Sequence, residues 1–302
     1  MSTLAASASA SPPARSLLPD LSLVVVTMLW GGSFLAVQTA LHWAGAFSFV
    51  GMRFCVASLL ALLLCRRELR NITRGEWLGG MAVGAVLYGS YNLQTLGLPY
   101  IPSSTSAFLT GLYVPLVPLL QLILFRERPS LAAWGGILLA FIGLLLLAGV
   151  NGLSIHLGLG ETLTLVSTLT IALEICLISH FAVGCNARRM ALVQLLTVAL
   201  LSLGSALVSG EALPQWHPVL LLCVLGLGCT TALIQVMINW AQRTVPATRA
   251  TIIYAMEPVW GGVVGWLAGE AMTAGNVGGA ALIVASVLLS QLGARKPEHA
   301  PA

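Results

Sequence analysis

The chain has 302 residues, 58% of them hydrophobic and only 8% Asp, Glu, Lys or Arg, against roughly 25% charged residues in ordinary soluble domains. Its net charge is +4 and its mean hydropathy is +0.93, so there is too little charge to clothe a soluble globule and lipid is the expected solvent for most of the chain. The apolar runs are continuous rather than alternating, which excludes a membrane β-barrel in favour of helices that satisfy their own backbone polar groups.

Residues 1–19 are rich in Ala, Ser and Pro with one charge, Arg15, and read as a disordered tail without the ordered parts of a signal peptide. Each membrane span needs about 20 apolar residues, and ten such spans are predicted. The first five are Leu21–Leu41, Phe47–Cys65, Trp77–Leu96, Ser103–Phe125 and Leu131–Ala148. The stretch Trp77–Phe125 holds no charged residue and is long enough for two spans, with Pro99 and Pro102 marking the turn. A polar, Gly-rich link over 149–160 follows. The second five are Thr162–Val183, Met190–Ser209, Val219–Ala241, Ala250–Leu267 and Asn276–Leu292, before a polar tail over 293–302. The expected organisation is therefore a first five-helix repeat over 20–148 and a second over 161–292.

Of 14 basic residues, all but Arg53 fall in the tails or in the links after spans two, four, six and eight, or at their edges. The positive-inside rule then puts both termini and these links in the cytoplasm. Five spans per half is an odd number, so the halves run through the membrane in opposite directions. The fold class expected is all-α integral membrane: ten transmembrane helices as two inverted-topology five-helix repeats. The repeat is visible in the residues. Shifted by 143 positions, Thr105 meets Thr248, Ala107 meets Ala250, Pro115 meets Pro258, Glu127 meets Glu270, and Gly135–Gly136 meet Gly278–Gly279.

Three stretches carry a family likeness: Leu29-Trp30-Gly31-Gly32-Ser33-Phe34 with Met52-Arg53-Phe54; Leu93-Gln94-Thr95-Leu96-Gly97-Leu98 through Ser106-Ala107-Phe108 to Tyr113; and Ala250 through Tyr254-Ala255-Met256-Glu257-Pro258, closing on Gly269-Glu270. In these the sequence resembles the drug/metabolite transporter superfamily, in its EamA branch. The resemblance implies a secondary transporter, often an exporter of amino acids, other metabolites or toxic cations, with a cavity between the halves opened alternately to each side. The two copies of the repeat differ at their ends: Arg126-Glu127-Arg128 closes one, and Gly269-Glu270-Ala271 the other.

Charges inside spans are costly, roughly 2.5–3.5 kcal/mol each near the bilayer centre, and point to function or to pairing. Arg53, Glu174 and Glu257 are the candidates. Glu257 stands directly before Pro258, whose ring kinks the helix and frees a carbonyl one turn earlier; a cation or proton site there, or a buried structural carboxyl, are the two readings. His180 lies six residues after Glu174 and titrates near neutral pH or sits at the interface. Tyr88, Tyr91, Asn92 and Gln94 form an aromatic and amide cluster of the third span, and the spacing of Tyr88, Tyr91 and Thr95 puts them on one face that should point inward; Tyr88, Tyr91 and Asn92 with Trp30, Tyr113, Asn239 and Tyr254 are the candidate solute-binding residues, able to stack on or hydrogen-bond to an organic molecule. Pro115, Pro118 and Pro258 are the candidate hinges.

The six cysteines make no Cys-x-x-Cys pair and read as small apolar fillers, and no nucleotide loop, zinc helix or nucleophile elbow is found. No catalytic residue, metal or cofactor is expected, and no nucleic-acid partner. The expected function is export of small organic metabolites or drugs across the cell inner membrane by alternating access, with proton coupling through Glu257 or Glu174. The expected partners are a small-molecule substrate, membrane lipid and protons. An uncoupled facilitated carrier or exchanger is the alternative, and a membrane-embedded enzyme or receptor a distant one.

Overall fold

The computed structural model of the chain describes residues 17–66, 71–101, 103–148, 158–267 and 273–293. Most of both tails, most of the central link and Glu270 lie outside the described residues. Among the described residues thirteen α-helices are found: α1 Leu18–Gly31, α2 Ser33–Ala40, α3 Ala46–Cys65, α4 Arg74–Gly97, α5 Ser103–Gly111, α6 Tyr113–Leu120, α7 Leu131–Ala148, α8 Leu159–Phe181, α9 Ala187–Val208, α10 Pro218–Ala241, α11 Ala247–Tyr254, α12 Glu257–Leu267 and α13 Ala274–Gly293. They fill the ten expected spans, because α1–α2, α5–α6 and α11–α12 each make one interrupted span. Among the described residues five stretches, Leu18–Ala40 one of them, are long and apolar enough to cross a membrane on their own, and the chain is an all-α membrane protein. The links that carry Glu127, Arg189, Arg243 and Arg249 come together at one end of the bundle, called the basic face here.

The sequence pattern predicts the fourth and ninth spans as single helices; the structure breaks both, and at matching residues. The interruptions fall at Leu112 (φ −65°, ψ −8°) and Ala255 (φ −57°, ψ −12°), which are equivalent under the 143-residue shift. Pro115 and Pro258 stand three residues on. Lacking an N–H, each leaves the carbonyl four residues before it, on Gly111 and Tyr254, without its helical donor. Pro118 lies inside α6, beyond the break. The fourth span then runs into a π-turn, Gln121–Phe125, closed by Arg126 in the left-handed region (φ 57°).

The first span breaks without a proline, at Gly32. Gly31 is needed there for close approach. A Cβ on it would stand 2.8 Å from the backbone nitrogen of Gly261 and 2.9 Å from the Cβ of Trp260, so α1 lies backbone to backbone on α12. This is the small-residue packing that membrane helices use in place of a hydrophobic drive. The glycines Gly80 and Gly84 do the same for α4, where added Cβ atoms would meet Val193 and Thr197 of α9 at 2.6 Å.

The halves interleave. Helix α3 packs along α9, α4 along both α8 and α9, α10 against α3 and α1, and α7 along α13. Two carboxylates fasten this arrangement, one at each face. Glu76 completes a capping box with Thr73 at the start of α4. It also accepts from the backbone N–H of Asn186 at 2.8 Å and pairs with Arg189 at 3.0 Å, so that it helps begin α9 as well. At the opposite face, Glu211 accepts from the backbone N–H groups of Phe47 (3.0 Å) and Ser48 (2.8 Å) and from the Ser48 hydroxyl (2.8 Å), capping α3. Since α3 and α9 are repeat mates, each is capped by a carboxylate supplied by the other half, and an acid suits a helix N-terminus.

Candidate functional site

The broken spans and the interleaved halves enclose a cavity. Its lining runs from Val37 and Leu98, near the face opposite the basic one, to Ile178 and Ile238, near the basic end. Helices α1, α2, α3, α4, α5, α6, α8, α10, α11 and α12 all reach it, so both halves build it. The three charges that the sequence places inside spans line it together: Arg53 on α3, Glu174 on α8 and Glu257 at the start of α12.

Arg53 is held rather than loose. Its Nε donates to the Thr231 hydroxyl at 2.8 Å, and its Cζ lies 5.0 Å from the centre of the Tyr91 ring. Tyr91 is steadied in turn by Phe54, edge on at 4.8 Å. A guanidinium fixed by a hydroxyl and an aromatic face keeps its remaining donors for something else. Glu174, buried at 8% exposure, is approached by Ser90 and Gln235. Glu257 takes its position from the break before α12, which lets the first turn of that half-helix face the cavity.

Aromatic residues supply the apolar wall. Trp30 and Tyr254 meet edge to face at 5.3 Å, and the Tyr254 hydroxyl accepts from Gln242 Nε2 at 3.0 Å. Tyr113, next to the break in the fourth span, completes the set. Four of the seven candidate solute residues thus share the cavity: Trp30, Tyr91, Tyr113 and Tyr254.

The other three are engaged between helices and are not among the lining residues. The Tyr88 hydroxyl is 2.6 Å from that of Ser205. Asn92 donates to Ser202 at 2.8 Å. Asn239 exchanges two hydrogen bonds with Gln194, at 2.7 and 3.0 Å. These are amide and hydroxyl bridges tying α9 to α4 and α10. His180 is separate again: its ring lies tilted against Phe125 (5.0 Å) and edge-on to Phe181 (5.1 Å) and lines a second pocket at the basic face.

Gln94 and Thr95, of the polar cluster and face read from the sequence, line the cavity, whereas Ser33, Ser90 and Thr110 escape a reading of the sequence. Gln94 donates to Thr110 at 3.0 Å across the third and fourth spans, and both line the cavity with Ser33, Ser90 and Thr95. The only signal of Ser33, Ser90 and Thr110 is that they are polar within spans, which Asn92 and Asn239 share. Among the described residues no cluster of three or more His, Cys, Asp or Glu suited to a metal is found. The geometry offers a cation, two carboxylates, an amide and an aromatic wall: a place to hold a small polar organic molecule.

The EamA-like transporter family matches residues 17–149 and again 158–292. An uncharacterized transporter of Archaeoglobus fulgidus is 28% identical over 280 residues, covering 92% of this chain and 87% of that protein. A protein crystal structure with 18% identity superposes with a TM-score of 0.77 over 95% of this chain and 100% of the other; at that identity the likeness speaks for the fold alone.

Proposed function

We propose that the chain, which belongs to the EamA-like transporter family and is a membrane transporter, is a secondary carrier that exports small organic metabolites or drugs across the cytoplasmic membrane by alternating access. The observation that carries this reading is the cavity shared by both halves, with Arg53, Glu174 and Glu257 set among Trp30, Tyr91, Tyr113 and Tyr254. Carboxylates and a guanidinium at membrane depth are expensive unless they face a wet path, and this cavity gives all three one path to face. The basic links mark the cytoplasmic face by the positive-inside rule, which puts both termini inside. Membrane lipid surrounds the bundle, and the solute is a small molecule with polar or charged groups at one end and an apolar or aromatic body.

Coupling to protons runs through Glu257, the carboxylate next to a helix break, with Glu174 as the second candidate. A carboxylate that gains and loses a proton as the break opens to each side would link the two movements. The test is efflux of labelled amino acids and organic cations from proteoliposomes with and without a pH gradient. Glu257→Gln is expected to fold, to keep solute binding, and to lose acceleration by the gradient. Efflux by Glu257→Gln that still follows the gradient removes Glu257 from coupling. Efflux by the native protein that ignores the gradient favours the rival reading, an uncoupled facilitated carrier or exchanger.

A further inference from the structure

Beneath the central cavity, at the basic face, lies the second pocket, lined among others by Phe125, Glu127, His180, Gln242 and Arg243. What separates the two is thin. Ile178 and Ile238 belong to the upper wall; Ser179 and Gln242, one and four residues on, belong to the lower. Tyr254, at the top of α11, closes the floor of the cavity with its hydrogen bond from Gln242. The half-helix α11 stands between the two spaces, and all eight of its residues are buried.

The lower end of α11 is fastened at two points. Arg249 Nε lies 2.9 Å from Asp20 Oδ1, in an ion pair whose side chains are 8% and 2% exposed. Thr248 donates to Gln121, which in turn donates to Glu127 at 2.9 Å. Asp20 is on α1 and Gln121 is in the π-turn, so α11 is tied to the first and fourth spans at once. Above it, the break at Ala255 separates α11 from α12.

Among the described residues the opposite face has no such ionic fastening. Asp20 is the third residue of α1; the third residue of its repeat mate α8 is Glu161. The 143-residue shift carries Arg249 onto Ser106 of α5, whose buried hydroxyl has no hydrogen-bond partner. Where one face has a carboxylate and a guanidinium, the other has a carboxylate and a hydroxyl.

We propose that the basic-face pocket is the cytoplasmic half of the solute path, and that α11 is the gate between it and the central cavity, latched by Asp20 and Arg249. The lower pocket offers a passing polar solute a carboxylate, Glu127, and a guanidinium, Arg243, as the upper cavity does with Glu257 and Arg53. Breaking the latch lets α11 swing about Ala255, and the two spaces become one. The latch also sets a bias. A buried ion pair with one partner removed leaves an uncompensated charge, so the closed gate depends on both members, whereas among the described residues the opposite face has no equivalent ion pair.

This inference rests on reading the cavity as the solute path, and thiol labelling tests it without any solute. In full-length protein with its six native cysteines replaced, Ile175→Cys places one thiol in the central cavity. A membrane-impermeant maleimide applied to the basic face of vesicles is expected to label it slowly. Asp20→Asn, or separately Arg249→Gln, should speed labelling at least tenfold. The exchanged pair Asp20→Arg/Arg249→Asp should restore protection. Monodisperse elution of each variant in detergent reads folding. Folded Asp20→Asn and Arg249→Gln proteins that stay protected overturn the gate. So does an exchanged pair that labels as fast as the single variants. Failed efflux in proteoliposomes with latch-dependent labelling would instead leave the gate standing and overturn the transport reading.

Discussion

Replacing Glu76 by Ala tests whether the interleaved halves are held by their carboxylate caps. The side chain closes the capping box with Thr73, accepts from the backbone N–H of Asn186, the N-cap residue of α9, and pairs with Arg189. Losing the cap costs about 1 kcal/mol. Removing one partner of a buried pair costs about 3–5 kcal/mol when the other charge is stranded, but Arg189 keeps 18% of its side-chain surface and a second acceptor, the Asn71 carbonyl at 2.5 Å. That lowers the second contribution to about 2–3 kcal/mol, and the sum to about 3–4 kcal/mol. At about 2 °C per kcal/mol for a chain of this size, the midpoint should fall by about 6–8 °C. Heating detergent-solubilised protein while following aggregation gives the midpoint, and comparison between variants at one scan rate avoids treating it as an equilibrium. Glu76→Gln, which keeps an acceptor but loses the charge, should fall about half as far. A drop under about 2 °C for Glu76→Ala would refute the claim that a cap shared between halves holds α4 to α9.

Asn239→Leu should strand the Gln194 amide and destabilise by about 1–3 kcal/mol, while Gln194→Leu/Asn239→Leu recovers most of the loss; the melting midpoints of the three variants decide it. The same variants should leave solute preference in efflux assays unchanged, since neither side chain lines the cavity. Arg53→Lys forfeits both the Thr231 bond and the Tyr91 face, and should weaken solute binding about tenfold with little change in melting, measured by titration of the purified protein. Gly31→Val drives a side chain into the Gly261 and Glu257 backbone, so it should cost about 1–3 kcal/mol and abolish transport; native-like efflux would remove the close α1–α12 contact from the working cycle.

The ten spans, the inverted repeat and the in-span charges are legible in the sequence because each has a one-dimensional signature: apolar length, basic residues on alternate links, and Pro115 and Pro258 at one constant offset. What the sequence does not separate is one inward surface from another. Asn92 and Tyr91 are neighbours, both polar enough to avoid lipid, yet one bridges to Ser202 and the other stacks under Arg53. Deciding between them requires the rotation of α4 against α9, which Gly80 and Gly84 set through backbone contact. Asp20 is hidden for another reason. It stands at the edge of an apolar run, where a carboxylate normally meets water, and only its partner 229 positions away in sequence makes it a buried charge. The breaks at Leu112 and Ala255 are half legible: the prolines announce a disturbance, but they stand three residues past the interruption itself.

The packing of α4 also bears on how the protein is made. Helix α4 is 24 residues long but is not among the stretches apolar enough to cross a membrane alone. The neighbours that cover its polar side are chiefly α8 and α9, in the other half. At about 5–20 residues per second, the ribosome needs on the order of 5–20 s after finishing α4 to deliver α9. During that interval Tyr88 and Asn92 have neither water nor their final partners on α9, Ser205 and Ser202. The first half is thus a nascent chain that must shelter one of its own helices, in the insertion machinery or against α3, until the second half arrives.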